Sequence, residues 1–393
     1  MSVFISHPGQ QHSHQLALAL FEHGLLKEYW SGVPIMTKRD ELPIWFPEKH
    51  INRVKILDIP KKMRRHPYIF QLLIKAGALL PTNFSRSDYT HRIFHAFDWW
   101  VAQHIKKIRP SIVIGFENSS YHTFKAAKKI GAICILDAPA LQHLSAAKLI
   151  PTAQTAYLQE INRRKDEEVS MANLILTCSP LAAESYYLAG IPHEKIQPLL
   201  LGATVTSGIE NSWKPHNRPL EFIFAGALRK LKSIDLILNA FNRLHLEGFA
   251  YKITFVGGQG EDGWVQKIEN TPGAFYHTSL PQNLLYQKLA EADCLLLPSR
   301  FDSFGMVVAE AMASGTPAIV SVQTGSKAII EQFPKSGWIV DVNEDSLYLC
   351  IKERIINREE LFAARQNALE ASRVFTWESY RKRASDLIKN WIV

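Results

Sequence analysis

Cysteine is scarce in this chain. There are four in 393 residues (Cys134, Cys178, Cys294 and Cys350), far apart and without C-x-x-C spacing. That pattern excludes a disulfide-framed domain and a cysteine zinc site, and it reads as buried free thiols in a reducing compartment. No uninterrupted apolar run approaches the ~20 residues of a membrane span. The opening Met1–Ile5 carries no basic region, so no signal peptide is expected. Repeats and low-complexity tracts are also missing, and the 20 glycines and 20 prolines are scattered. The expectation is a cytoplasmic globular protein, soluble or lying on the inner face of a membrane without crossing it.

Apolar residues make up 47% and charged residues 21%, an ordinary globular balance, and the length suits two domains with separate cores. The net charge of +8 is uneven. Residues 1–200 hold 24 Lys and Arg against 16 Asp and Glu, whereas residues 201–393 hold 21 of each. The densest basic piece, Lys61-Lys62-Met63-Arg64-Arg65-His66, precedes the apolar Tyr68–Leu80. Two readings stand: a solvated basic loop before a core helix, or peripheral contact with an anionic membrane or a phosphate-bearing acceptor. Nucleic acid is not an expected partner, because no aromatic-basic motif accompanies the charge.

The stretch Ala292–Glu331 organises the rest. Cys294–Leu297 is a short apolar run closed by Pro298-Ser299, as in a buried parallel strand. Phe301–Phe304 reads as a loop, Gly305 as the opening of an apolar helix, and Gly315-Thr316-Pro317 as its stop. The first amides of such a helix have no intrahelical partner, and its dipole favours negative charge there. Phe304, Gly305, Met306 and Val307 can therefore bind sugar hydroxyls or phosphate through backbone N–H groups. Asp302 and Glu310 flank that point with seven residues between them. An acid among apolar neighbours needs a partner, and ligand hydroxyls supply one.

DSFGMVVAEAMASGTPAIVS resembles the E-x7-E signature of retaining GT-B glycosyltransferases of the family-four type, with Asp302 in place of the first Glu. The resemblance implies an α/β GT-B fold: two doubly wound Rossmann-like domains facing an interdomain cleft. It further implies that Glu310 holds the ribose of a nucleotide diphosphate sugar, while Asp302 and the amides after it hold the transferred sugar. In GALRKLKS, Gly226 and Lys232 match the family's diphosphate-binding turn, and Arg229 is a second candidate cation. Ala227 stands where an Arg is frequent. Leu280 falls near the place where the family's backbone meets the nucleobase. The family's glycine-bearing first loop corresponds to HPGQQHSH, with Gly9 facing the cleft and a helix from about Gln11. No D-x-D occurs, so no divalent metal and no cofactor beyond the nucleotide sugar is expected.

Ligands of open parallel sheets bind beyond the carboxyl ends of strands. Asp137 and His143 follow the expected strand Ala132–Leu136, and the family often places a polar residue or His there, near the sugar's reacting face. Glu117, Asn118 and His122 follow the preceding strand. His7, His12 and His14 crowd the first loop, but their spacing matches no zinc motif, so no metal site is expected. Gly258–Gly263 spells G-x-G-x-x-G. It lies mid-chain with no strand-end acid about twenty residues on, so it reads as a donor-side loop rather than a dinucleotide fingerprint.

The expected layout is an N-terminal acceptor-binding domain over 1–202, a linker over 203–219, a donor-binding domain over 220–375, and a final helix over 376–393 packing back on the first domain. The function implied is transfer of a hexose-type sugar to a glycan or lipid-linked glycan in surface polysaccharide synthesis, such as lipopolysaccharide or capsule. A nucleotide-sugar binder without transferase activity is the alternative.

Overall fold

Short apolar runs alternating with helical stretches specify parallel strands buried on both faces. In the computed structural model, which describes residues 2–9, 11–36, 55–77, 86–149, 155–204 and 217–391, they fall into two sets. The first contains β1 (Val3–His7), β2 (Leu26–Ser31), β3 (Ile35–Met36), β4 (Lys55–Ile56), β5 (Arg64–Arg65), β6 (Ile112–Phe116), β7 (Ile133–Asp137), β8 (Leu174–Thr177) and β9 (Ile196–Pro198). Among the described residues β3 and β4 form a side pair, and the others join one parallel sheet in the order β5-β2-β1-β6-β7-β8-β9. Its helices are α1 (Ser13–Glu22), α2 (Tyr68–Ala76), α3 (Arg86–Ile108), α4 (Tyr121–Lys128), α5 (His143–Leu149), α6 (Ala156–Met171) and α7 (Pro180–Tyr187).

The second set is β10 (Leu220–Ala225), β11 (Tyr251–Val256), β12 (Ala274–His277), β13 (Cys294–Leu297), β14 (Ala318–Ser321) and β15 (Gly337–Val340), in the order β12-β11-β10-β13-β14-β15. With it run α8 (Ile234–Leu246), α9 (Trp264–Glu269), α10 (Gln282–Glu291), α11 (Met306–Ala313), α12 (Lys327–Gln332), α13 (Glu344–Ile356), α14 (Arg358–Val374) and α15 (Trp377–Lys389). These are the two Rossmann-like units that the sequence implies. In each, the strand order reverses at one point, between β1 and β6 and between β10 and β13, and there the carboxyl ends open a crevice.

Alternate strand residues bury on opposite faces. Ile5, Ile114 and Leu176 pack in one apolar cluster, and Phe4, Val113 and Ile175 in another. Each such side chain contributes roughly 1.5–3 kcal/mol by leaving water. This two-sided burial is why the strands read as continuous apolar runs.

Several local expectations shift. The helix expected over Phe94–Lys107 starts at Arg86, and the one expected near Gln11 starts at Ser13. The basic run is not simply a solvated loop. Arg64 and Arg65 form an edge strand on β2, and Arg64 is buried, donating to the carbonyls of Ile59 (2.9 Å) and Ile35. The Arg65 guanidinium lies 4.5 Å from the Trp30 ring centroid. All four cysteines are free thiols, three buried and Cys350 half-buried. Most of the expected linker, residues 205–216, lies outside the described residues, as does the end of the apolar run after Tyr68. No helix among the described residues is long and apolar enough to cross a membrane.

Candidate active site between the two domains

The carboxyl end of β13 leads through Pro298–Phe304 to α11. Gly305 precedes that helix at φ 82, and a Cβ there would fall 2.8 Å from Leu297 Cδ2. Only glycine fits both the left-handed backbone and the space. One Asp302 carboxylate oxygen accepts from the Phe304 N–H at 3.4 Å, and the other pairs with the Lys232 ammonium. The loop is further pinned by Asp302 N–H to the Gln323 carbonyl (3.0 Å) and Gly325 N–H to the Asp302 carbonyl (2.8 Å).

Glu310 lies half-buried one turn and a half into α11. Burial pushes its carboxyl pKa up, and the Tyr286 hydroxyl opposes that by hydrogen bonding to it. Gln282 in turn donates to the Tyr286 oxygen at 2.6 Å. The carboxylate is thus held but not neutralised, which suits a group that awaits hydroxyls.

Gly226 and Gly257 cross at the ends of β10 and β11. A Cβ on Gly257 would come within 1.8 Å of the Gly226 carbonyl oxygen. The turn after Gly226 is held by Leu228 N–H to the Gly258 carbonyl (3.0 Å) and by Arg300, which grips Asp235 at 2.6 and 2.8 Å and the Lys230 carbonyl at 2.8 Å. The G-x-G-x-x-G segment therefore buttresses this turn, with Gly260 against the Arg229 side chain. Arg229 itself is exposed. Leu280 packs against the core and does not line the cavity described next.

A cavity of about 490 Å³ lies between the domains. Gln11 and His12 of the first loop and His14 of the first turn of α1 face Asp302, Phe304, Gly305 and Met306 across it, and Trp377 closes one side. Asp137, the last residue of β7 rather than a residue beyond it, is buried and bonds His12 Nε2 at 2.8 Å. That bond fixes the His12 ring toward the cavity. Gly9 donates its N–H to His7 Nδ1 at 2.8 Å, and burial holds the His7 pKa down at about 4, so its ring is neutral. His14 Nδ1 bonds the Gln11 carbonyl, so the three histidines turn different ways. Among the described residues no group of three His, Cys, Asp or Glu side chains is placed to hold a metal.

His143 is not brought to this cavity. It opens α5 and bonds the exposed Asp166 of the next helix, α6, at 2.7 Å, a partner 23 residues on that local reading could not reveal. Four residues of the site have no site role assigned from the sequence. Tyr286 comes from mid-helix α10, Trp377 from the start of α15, and Cys178 and Ser179 from the end of β8. The Ser179 hydroxyl donates to the Ser303 carbonyl at 2.5 Å and also accepts from Ala182 N–H at 3.1 Å, capping α7. Cys178 Sγ lies 3.3 Å from the same Ser303 carbonyl. The Ser179-Pro180 pair announces a helix start, but nothing in it announces a contact with the other domain.

Residues 208–371 match the model of the family described as glycosyl transferases group 1. The chain is 29% identical over 203 residues to a putative colanic acid biosynthesis glycosyltransferase, WcaL, of Salmonella typhimurium, spanning 48% of this chain and 47% of that protein. It is 26% identical over 196 residues to a D-inositol 3-phosphate glycosyltransferase of a Nocardioides species, spanning 42% of this chain and 41% of that protein. The matched stretch thus covers less than half of either relative. Among solved structures, sucrose-phosphate synthase of Thermosynechococcus elongatus superposes with a TM-score of 0.66 at 15% identity, over 100% of this chain and 99% of that one. Anabaena HepE in complex with UDP-glucose superposes at 0.64 and 14% identity, over 99% and 100%. These likenesses establish the GT-B fold across the whole chain.

Proposed function

We propose that the chain is a retaining, metal-independent glycosyltransferase that moves a hexose-type sugar from a nucleotide diphosphate sugar to a glycan or lipid-linked glycan in surface polysaccharide synthesis. One observation carries this reading: a single cavity gathers the free amides at the start of α11, Asp302, and the first loop of the opposite domain. Glu310 anchors the donor ribose and Asp302 the transferred sugar. The amides of Phe304–Val307, with Lys232 and Arg229, take up the negative charge that builds on the departing diphosphate. Gly226 lets the backbone approach that diphosphate, Gly9 does the same for the first loop, and Leu280 lies on the nucleobase side.

As the bond from the anomeric carbon to the diphosphate oxygen breaks, its electron pair leaves with the phosphate and the sugar becomes oxocarbenium-like. The acceptor hydroxyl attacks from the same face, and its proton passes to the leaving phosphate. His12, bonded to Asp137, lines the cavity. His143, held by Asp166, is a further first-domain candidate outside this cavity. The exposed Lys61 and Lys62, beside Ile69 and Leu72 on α2 (55% and 57% exposed), support peripheral contact with an anionic membrane. The layout of an acceptor domain over 1–202, a linker, a donor domain over 220–375 and a returning helix is part of the same proposal.

The test is a thermal-shift screen with UDP-, GDP-, ADP- and TDP-sugars, with and without EDTA. A ligand at about 100 times its dissociation constant adds roughly 2.7 kcal/mol of stability. One base raising the melting temperature regardless of EDTA, followed by release of that nucleoside diphosphate on turnover, supports the reading. No shift with any of them overturns it, and a shift without turnover leaves only a nucleotide-sugar binder.

A further inference from the structure

Beyond β6, at the first domain's own switch point, a second polar cluster is not used by the donor chemistry. Asn118 is buried there in the left-handed region at φ 64. The fully buried Glu168 holds the turn, accepting from the N–H groups of Asn118 (2.6 Å) and Ser120 (2.8 Å). The Asn118 side chain is therefore presented by a fixed backbone.

Its amide bridges two histidines one turn apart on α3. Asn118 Nδ2 donates to His91 Nδ1 at 3.2 Å, and His95 Nε2 donates to Asn118 Oδ1 at 3.0 Å. These two bonds set opposite tautomers. His91 carries its proton on Nε2, a donor still to be used, and His95 keeps a lone pair on Nδ1, an acceptor still to be used. Burial lowers both pKa values, that of His95 to about 4, so both rings are neutral near pH 7.

The surroundings hold several ion pairs. Lys165 pairs with Glu117 at 3.3 Å, and Glu117 also accepts from the Tyr186 hydroxyl at 3.1 Å. Arg164 pairs with Glu160 at 3.0 Å, and the Arg92 guanidinium lies over the Tyr157 ring. The cluster adjoins the cleft. The His91 ring stacks on Phe94, whose ring tip is 3.9 Å from the Cβ direction of Gly9. The first loop then runs on into the residues that face Asp302 and Gly305.

We infer that His91, His95 and Asn118, with Glu117 and Lys165 beside them, recognise the acceptor, and that the acceptor sugar is uncharged and reads out through neighbouring hydroxyls. One ring offers a donor and the other an acceptor, the complement of two adjacent sugar hydroxyls. A phosphate or carboxylate, which can only accept, meets the lone pair of His95. A purely structural role uses one nitrogen of each ring and leaves the other two without purpose. The inference rests on the transferase reading, since it names the acceptor class of that enzyme.

The experiment uses saturation-transfer NMR and calorimetry on the full chain. The probes are methyl glucoside, galactoside and mannoside, set against methyl phosphate, glycerol phosphate and methyl glucuronoside. The expected result is binding of a neutral glycoside that weakens roughly tenfold in H91F and in H95F, the loss of one net hydrogen bond. The nucleotide-sugar thermal shift stays as in the unaltered chain, while the urea midpoint falls only by the one bond to Asn118 that each variant loses. Preference for a charged probe, no glycoside binding, or binding unchanged in both variants overturns the inference while leaving donor binding intact. Loss of nucleotide-sugar binding in the unaltered chain defeats the transferase reading itself.

Discussion

The Lys232 ammonium is paired with the Asp302 carboxylate. The cation fitted to a diphosphate is thus already engaged by the acid fitted to a sugar, and both are partly buried at the crevice of the second domain. On the proposed reading a donor divides this pair, with its phosphates taking Lys232 and its hydroxyls taking Asp302. The two contacts are coupled by charge.

Asp302→Asn separates them. Removing the competing carboxylate leaves Lys232 unpaired, so affinity for the free nucleoside diphosphate should rise roughly threefold to tenfold, on the order of 1 kcal/mol. Turnover should fall, because the sugar loses an acceptor for its hydroxyl. Calorimetry with the nucleotide alone decides; unchanged or weaker binding would show that the pair does not compete with phosphate.

Glu310→Gln should act in opposite directions on binding and on folding. The charged carboxylate is costly where it sits, since burial raises its pKa. The neutral amide should leave the urea midpoint equal or higher. Donor affinity should drop about tenfold to a hundredfold, the worth of charged hydrogen bonds to ribose. A variant that loses stability and affinity together would make Glu310 a structural residue.

His7 makes folding sensitive to mild acid. Its folded pKa, about 4, lies below the usual 6.5 because burial disfavours the charged ring. The unfolded chain therefore binds the extra proton first. The stabilisation is complete above about pH 6.5 and drains away toward pH 4, at up to about 1.4 kcal/mol per unit. Urea melts at pH 7 and pH 5 should show a steeper loss for the unaltered chain than for His7→Asn. Equal losses would mean that His7 titrates normally.

Ser179 carries two roles that substitution can divide. Ser179→Ala should cost about 1 kcal/mol for the lost cap of α7, with a further loss for the bond to Ser303. Ser179→Asp keeps a capping oxygen but has no hydroxyl to donate across the cleft. It should recover the cap's share in urea melts while nucleotide-sugar affinity remains weakened. If the two variants behave alike in both measurements, the contact with Ser303 carries no weight in binding.

The second half of the fold was largely legible because its chemistry is local. The loop, Gly305, the apolar helix and the stop at Gly315 are contiguous, and each is dictated by its own backbone needs. Asp137 does lie at the end of its strand, but its partner His12 is 125 residues away in sequence and could not be paired in advance. The same holds for Tyr286 at Glu310 and for Ser179 at Ser303, where a side chain from one element meets another only after packing. His143 shows the converse: it follows the same strand, yet it bonds Asp166 of α6 and does not line the cavity. The buried Arg64 escaped because a run of cations reads as solvated until backbone carbonyls close around one of them.

The chain crosses between its two units twice, and the crossings touch. Ala203 donates to the Phe375 carbonyl at 2.8 Å, Trp377 donates back to Ala203 at 3.2 Å, and beyond them Arg381 of α15 grips Glu22 and Gln15 of α1. Two strands of chain bonded side by side behave as a double-pinned door hinge. Sliding or twisting of one unit over the other is resisted at that edge, and swinging is what remains. The units meet again where Cys178 and Ser179 reach the Ser303 carbonyl, beside the cavity that Leu201 and Trp377 of the hinge also line, so the loop before α11 is tied to the same edge.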